Sequence, residues 1–248
     1  MTGSGVPKIM GQIWIGDRKA PEPWMKSWKA SHPSWEYVVY DNTFLTSRRW
    51  FNHSLILEYF KRREFAGVSD LIRYEILYER GGFIPEADSV CLRPVDELFS
   101  EPKLYTVYEN EERRPGFVHP FLASNPGNPG LHMAINILNS RYGAKPEKLD
   151  TPFRSVGNRF LERFIRNRKP DVTVFPSFMF NPVFHKEKFR YVGDGPVYAN
   201  HKWGTTHSKY EEYEEAERRS IFEAVVTKLE QLLTSEPKPK LAPPHILH

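Results

Sequence analysis

The stretch AGVSDLIRYEILYERGGFIPEADSVCLRP, residues 66–94, decides how the rest of the chain reads. Its first half has a helical period over residues 66–78. Leu71, Ile72 and Ile76 cover one side, and Asp70 and Arg73, three apart, share another face with Ala66 and Leu77. Gly81-Gly82 follows, as a helix C-terminus prefers. Phe83 and Ile84 then begin a short strand that Pro85 stops or confines to an edge. Glu86-Ala87-Asp88 therefore falls at a strand end, where ligands meet open α/β sheets. A period of two predicts that the Glu86 and Asp88 side chains point one way and Ala87 the other.

Outward from this block the chain alternates strands and helices. Residues 8–16, around Ile9, Ile13 and Ile15, read as a first buried strand, and a short helix runs through Trp24, Met25 and Trp28. Residues 35–40 are a second strand closed by the turn pair Asp41-Asn42. A strand, helix, strand start predicts an α/β sheet with parallel neighbours. Residues 54–61 read as a helix, 104–108 as a strand, and 125–130 as a tight turn into a helix with Leu131, Ile135 and Leu138 on one face. A further helix spans 158–167, a strand 172–175, and a long helix after Glu211 carries Phe222, Val225, Leu229 and Leu232 inward. The proline-bearing end is expected to be extended, which divides the chain into one domain over residues 1–233 and a tail over 234–248.

Composition narrows the class. With 40% hydrophobic and 27% charged residues, the chain is globular rather than disordered, and the 14% aromatic share is enough to spare rings for stacking. A net charge of +4 suits a phosphate-bearing substrate and is far from a polybasic nucleic-acid binder. A single cysteine, Cys91, excludes an internal disulfide and a multi-cysteine zinc module, and agrees with a reducing compartment. The opening MTGSGVP lacks the regions of a signal peptide, and there is no apolar run of the ~18 residues that a spanning helix needs. The expectation is a soluble, cytoplasmic protein without a membrane span.

Two hard carboxylates at a rigid strand end suit Mg²⁺ or Mn²⁺, which take one or two protein carboxylates and leave other positions to water and phosphate oxygens. Alone, an acid-x-acid triplet is a weak signal, and an Asp–Arg helix pair is more often a surface ion pair. Their adjacency across Gly81-Gly82 gives both their weight.

The block SDLIRYEILYERGGF with EADSVCLRP resembles the signature of the sugar-transferase family with a DXD motif. That family includes capsular-polysaccharide and yeast outer-chain mannosyltransferase-like enzymes, with clostridial glucosylating toxins as distant relatives. PKIMGQIWIGD near the start resembles the family's opening strand, and ANHKWGTTH its closing element, so the resemblance spans residues 7–207. It implies a single-domain A-type glycosyltransferase fold, a Rossmann-like nucleotide-binding sheet flanked by helices. It implies metal-dependent, retaining transfer of a sugar from a nucleotide-diphosphate donor, a UDP- or GDP-sugar; the acceptor stays open between a saccharide, a protein and a modified nucleic acid. Carried over residue by residue, Trp14 is a stacking surface for the donor base. Ser69, Asp70 and Arg73 meet the donor sugar and diphosphate. Glu86 and Asp88 meet the metal, Mn²⁺ or Mg²⁺, and His201, with Trp203 beside it, meets the metal or the diphosphate. Asp70, Arg73 and Asp88 are the catalytic set, and Arg73 is expected to be replaceable without loss of the fold.

The chain departs from the family pattern at Glu86, where Asp is usual and where the longer arm allows contact through water. It departs also at Ile84-Pro85, where Tyr-Ala is common, at Gly11 in place of the opening His, and at His207 in place of the final Trp. Two other classes stay open: a catalytically weak sugar-nucleotide-binding protein, motivated by those departures, and a nucleic-acid-directed glycosyltransferase, motivated by the basic stripe of Arg159, Arg163 and Arg166.

Overall fold

The computed structural model describes residues 5–185, 190–204, 207 and 209–245. Thr205 and Thr206 of the closing element, and the outermost residues of the expected domain and tail, lie outside the described residues. β1 (Ile9–Ile13), α1 (Glu22–Ser31) and β2 (Glu36–Tyr40) make the opening unit. β1 and β2 pair in parallel from Ile9 opposite Glu36 to Ile13 opposite Tyr40, as the sequence predicts. Asp41 does more than turn the chain: its side chain accepts from the Phe44 N–H and caps α2 (Asn42–Leu45). Then come α3 (His53–Lys61), α4 (Phe65–Arg80), β3 (Gly82–Ile84), β4 (Ser89–Cys91), β5 (Leu104–Tyr108) and β6 (Val118–Ser124). They are followed by α5 (Pro129–Tyr142), α6 (Pro152–Ser155), α7 (Asn158–Arg168), β7 (Val172–Phe175), β8 (Ala199–His201) and α8 (Glu215–Ser235).

The main sheet has the order β2-β1-β3-β6-β5-β7. β6 is antiparallel to both β3 and β5, whereas β2, β1 and β3 pair in parallel, as do β5 and β7. The five strands other than β6 therefore run the same way and end on one edge. β3 is consequently not an edge strand: Pro85 stops it, but β1 and β6 flank it. Pro120 lies inside β6, also a central strand, where a missing N–H would cost a ladder bond. The β5–β6 register slips between Tyr105 and Val107, and this irregularity accommodates it.

The sheet separates two apolar clusters. One holds Leu55, Ile72, Ile76, Leu131, Ile135 and Leu229 from the helices; the other holds Met10, Trp28, Phe83, Val107 and Phe180. α4 is buried on nearly every side, including Asp70, Arg73 and Glu75. Glu75 accepts from the Phe51 and Asn52 N–H groups at 2.8 and 2.9 Å and so fixes the start of α3. α4 ends at Gly81, whose φ of 68° turns the chain sharply into β3. The stripe of Arg159, Arg163 and Arg166 is a solvated face of α7, with Phe160, Leu161 and Phe164 beneath it. The chain after α8 is extended and packs back on the fold: Lys238 Nζ donates to Asn139 Oδ1 at 2.9 Å, and His245 N to Gly127 O at 2.8 Å. Among the described residues, no helix is long and apolar enough to cross a membrane.

Gly11 explains one departure from the family pattern. A Cβ there would lie 2.4 Å from Tyr40 Cε2, because the buried Tyr40 ring from β2 fills the space a side chain would take. Gly11→Ala is expected to cost about 1–3 kcal/mol by overpacking, read as a lower denaturation midpoint with an unchanged slope. Equal midpoints would show that Tyr40 can leave.

Candidate active site

The carboxyl edge of the sheet opens into a cleft of about 690 Å³. Trp14 and Asp17 follow β1, Glu86 and Asp88 follow β3, Glu109 follows β5, and His119 stands at the start of β6. This is where open α/β sheets place their ligands, because strand ends leave unpaired backbone groups and room for side chains.

Arg73 is at the centre. It is 2% exposed, and its guanidinium pairs with Asp70 Oδ1 at 3.3 Å and Glu86 Oε1 at 2.5 Å. The helix supplies the first partner by its three-residue spacing, and the turn after β3 supplies the second. The longer arm of Glu86 serves to reach this guanidinium. Burial pushes the Asp70 carboxyl up to about 7, with Arg73 pulling it down and Glu86 pushing it further up. Arg73 Nε is buried and has no hydrogen-bond partner among the described residues. The expected separation between a site face and a buried face of α4 does not exist, so Arg73 is a core residue as well as a site residue.

Glu86 and Asp88 do not lie on a strand with a common direction. They are the first and third residues of a turn closed by Ser89 N donating to Glu86 O at 3.1 Å, and their side chains have different partners. Buried Trp28 holds that turn by donating Nε1 to both Ser89 O and Ser89 Oγ at 3.0 Å. Asp88 meets the closing element because β4 and β8 pair antiparallel with Ser89 opposite His201. His201 Nε2 is 2.9 Å from Asp88 Oδ1. Gly204 N and Tyr210 Oη donate to Oδ2 at 2.7 and 2.9 Å. Burial would raise the Asp88 pKa, but His201, Tyr210 and Gly204 outweigh it and hold the carboxyl well below its ordinary range. For His201, burial works downward, and Asp88 overrides it, so the net direction is up. Among the described residues, no three His, Cys, Asp or Glu side chains converge as a ligand set. The expected trio of Glu86, Asp88 and His201 is split, with Glu86 taken by Arg73 and the other two facing each other.

Trp14 and Trp203 line the cleft, as does Ser69. Trp14 donates Nε1 to Arg18 O at 2.8 Å and meets the Tyr210 ring edge-on at 4.9 Å between centroids. Trp203 donates to Val183 O at 2.9 Å, and its ring centroid is 4.3 Å from that of His201. Of the departures, His207 is solvent-exposed.

Sequence reasoning missed several lining residues. Asp17, 1% exposed, pairs with Arg63, and Arg218 of α8 lies 3.7 Å from it. Glu109, His119, Asn158 and Tyr210 were passed over too. Burial, with the neighbouring His201, keeps His119 well below the usual histidine range and therefore neutral. The available signal is position: Asp17 and Glu109 directly follow predicted strands, as the Glu86–Asp88 motif follows Phe83-Ile84.

A mainly parallel sheet with helices on both faces and an acid motif at its carboxyl edge is the A-type glycosyltransferase arrangement. Residues 22–105 match the family described as "Glycosyltransferase sugar-binding region containing DXD motif". Over 189 residues the chain is 27% identical to inositol phosphoceramide mannosyltransferase 1 of Schizosaccharomyces pombe, covering 71% of this chain and 57% of that protein. Over 107 residues it is 30% identical to inositol phosphoceramide mannosyltransferase 3 of the same organism, covering 40% and 29%. The solved structure titled "PaToxG Glycosyltransferase" shares the fold, with a TM-score of 0.55, 12% identity, and coverage of 66% of this chain and 70% of that one. The chain thus spans little more than half the length of the first of these curated relatives and less of the other. The matches bear out the resemblance to DXD-motif sugar transferases.

Proposed function

We propose that the protein transfers a hexosyl group from a nucleoside-diphosphate sugar to an acceptor hydroxyl, with retention of anomeric configuration and with a divalent cation at Asp88. The observation that carries this is Arg73, a buried cation at the carboxyl edge that is held between two acids and lines the cleft. The names of the fungal relatives point to mannose as the sugar. We place the activity in the single domain of residues 1–233.

The residues present fit a cation in part. A carboxylate has about four acceptor positions, and three donors occupy those of Asp88. Asp88 Oδ1 and His201 Nε2, 2.9 Å apart, are both of atom types that can ligate a divalent cation. Asp88 and His201 would hold it, and Glu86, retained by Arg73, would meet it through water. When bound, Mn²⁺ or Mg²⁺ supplies positive charge against the departing diphosphate.

In the transfer, the bond from the sugar's anomeric carbon to the β-phosphate oxygen breaks and a bond to the acceptor oxygen forms. The acceptor proton passes to a phosphate oxygen of the leaving group, so no separate base is needed. Arg73 presents fixed positive charge to that leaving group in a water-poor site. Asp70 and Ser69 orient sugar hydroxyls, Trp14 stacks the base, and Trp203 packs beside His201 to exclude water.

The test is a thermal-shift panel of UDP, GDP and their sugar conjugates, with and without Mn²⁺. A ligand at ~100 times its Kd adds about 2.7 kcal/mol, which for a chain of this size raises Tm by about 5–10 °C. The expected result is such a shift for one nucleotide and a larger one with Mn²⁺. Proton NMR of the hydrolysed donor should show the retained anomer first. Flat melting curves across the whole panel would sink the proposal.

A further inference from the structure

The carboxyl end of β5 carries a carboxylate that the transfer described above does not use. Glu109 is 4% exposed yet lines the cleft. Its Oε1 accepts from Arg114 Nη1 at 2.9 Å and its Oε2 from Asn158 Nδ2 at 3.2 Å, which leaves each oxygen a further acceptor position. Its backbone N–H donates to Phe117 O at 3.0 Å, so the group is fixed on the stem between β5 and β6. A buried charge held this way, with acceptor positions open toward a cleft, is suited to hydroxyl donors of a ligand.

An aromatic platform stands next to it. Phe153 is a solvent-exposed phenylalanine and also lines the cleft. Phe117 backs it, with ring centroids 5.6 Å apart and planes 7° apart, and the Arg114 guanidinium lies 5.8 Å from the Phe153 centroid. The Phe153 ring is thus partly exposed, stacked on Phe117 and beside a carboxylate and an amide. A pyranose matches that surface: its axial C–H groups meet the electron-rich ring face while its hydroxyls reach the polar groups.

Position gives the subsite its role. β5 is three strand intervals from β1 and two from β3, about 14 Å and 10 Å at ~4.8 Å per interval. A nucleotide with its base on Trp14 and its diphosphate near Arg73 extends toward β5. Gly157 joins this wall to the centre. A Cβ there would lie 2.8 Å from Asp70 Oδ2, so only a glycine lets the first turn of α7, with Asn158, close on the Asp70 carboxylate.

We propose that Glu109, Asn158, Arg114 and Phe153 form an acceptor subsite that takes the pyranose ring of a glycoside. Its role as acceptor site rests on the transfer reading above; its binding of a pyranose does not. The experiment is saturation-transfer NMR with methyl α-D-mannopyranoside, methyl β-D-glucopyranoside and methyl β-D-galactopyranoside on the wild type, Phe153→Ala and Glu109→Gln. Calorimetry with UDP and GDP in the presence of Mn²⁺ accompanies it on the same proteins. Phe153 is exposed, so its replacement leaves the fold in place. At least one pyranoside is expected to bind the wild type, with roughly tenfold weaker binding in Phe153→Ala. Nucleotide affinities are expected to stay within about twofold. Absence of any pyranoside signal from the wild type, an unchanged signal in both variants, or an equal loss of nucleotide binding in Phe153→Ala would each overturn the assignment. If the wild type binds neither nucleotide while pyranoside binding still depends on Phe153, the transfer reading falls and the pyranose site stands.

Discussion

Asp88→Asn is expected to lower donor turnover by about a thousandfold, the upper range for loss of one preorganised electrostatic group, and to abolish the response to Mn²⁺. Asparagine is nearly isosteric but presents one oxygen and one NH₂ group. Asp88 receives His201 on Oδ1 and the Gly204 N–H and Tyr210 hydroxyl on Oδ2. With the NH₂ turned toward Gly204 and Tyr210, their donors face a donor; turned toward His201, the NH₂ is matched only if Nε2 gives up its proton. His201 also loses the carboxylate that overrides its burial, so its pKa falls. The measurement is a Mn²⁺ titration of donor hydrolysis, with a chelator control, for both proteins. A variant that responds to Mn²⁺ like the wild type would show that the ion binds elsewhere.

Arg73→Ala is expected to damage the fold and the reaction together. Removing one member of a buried ion pair typically costs about 3–5 kcal/mol, because the remaining charge stays buried without a partner. Here two carboxylates, Asp70 and Glu86, lose the same guanidinium. The pH dependence carries the signature. Burial sets Asp70 at about 7 in the folded protein, above its ordinary value near 4, and Arg73 is what limits the rise. An acid with a raised folded pKa binds its proton more tightly in the native state. Its contribution is therefore full below pH ~4 and is lost as pH rises through ~7. Without Arg73 the Asp70 pKa moves higher still, so the loss continues to higher pH. Urea denaturation at pH 5 and pH 8 should show a larger deficit for the variant at pH 8. An equal, small deficit at both values would mean that the arginine is not compensating buried acids.

The elements easiest to read in the sequence were those with local punctuation. The period over residues 66–78 ends at Gly81-Gly82, and α4 and β3 lie within two residues of that reading. What failed depended on distant partners. β6 carries Pro120, which argues against a central strand unless the register slip opposite β5 is known. β4 and β8 are three residues each and acquire meaning only through their pairing. The site followed the same pattern. Asp70, Arg73, Glu86 and Asp88 share one contiguous block, and all line the cleft. Their partnerships were harder to see, because a period-two rule presumes a strand where the chain makes a turn. Gly11 read as the loss of a side chain, whereas the structure shows Tyr40 in its place.

Asp88 and His201 face each other across 113 residues of chain, and this separation sets the order of events during synthesis. At ~5–20 residues per second, the histidine leaves the ribosome roughly 6–23 s after the aspartate. β5, β6 and β7, which complete the sheet beyond β3, also emerge in that interval. A nascent chain thus displays its acid motif as a solvated carboxylate, with the imidazole, the Gly204 amide and the Tyr210 hydroxyl still unmade. A chain halted anywhere before residue 201 therefore holds the motif without the imidazole, amide and hydroxyl that partner it in the complete fold.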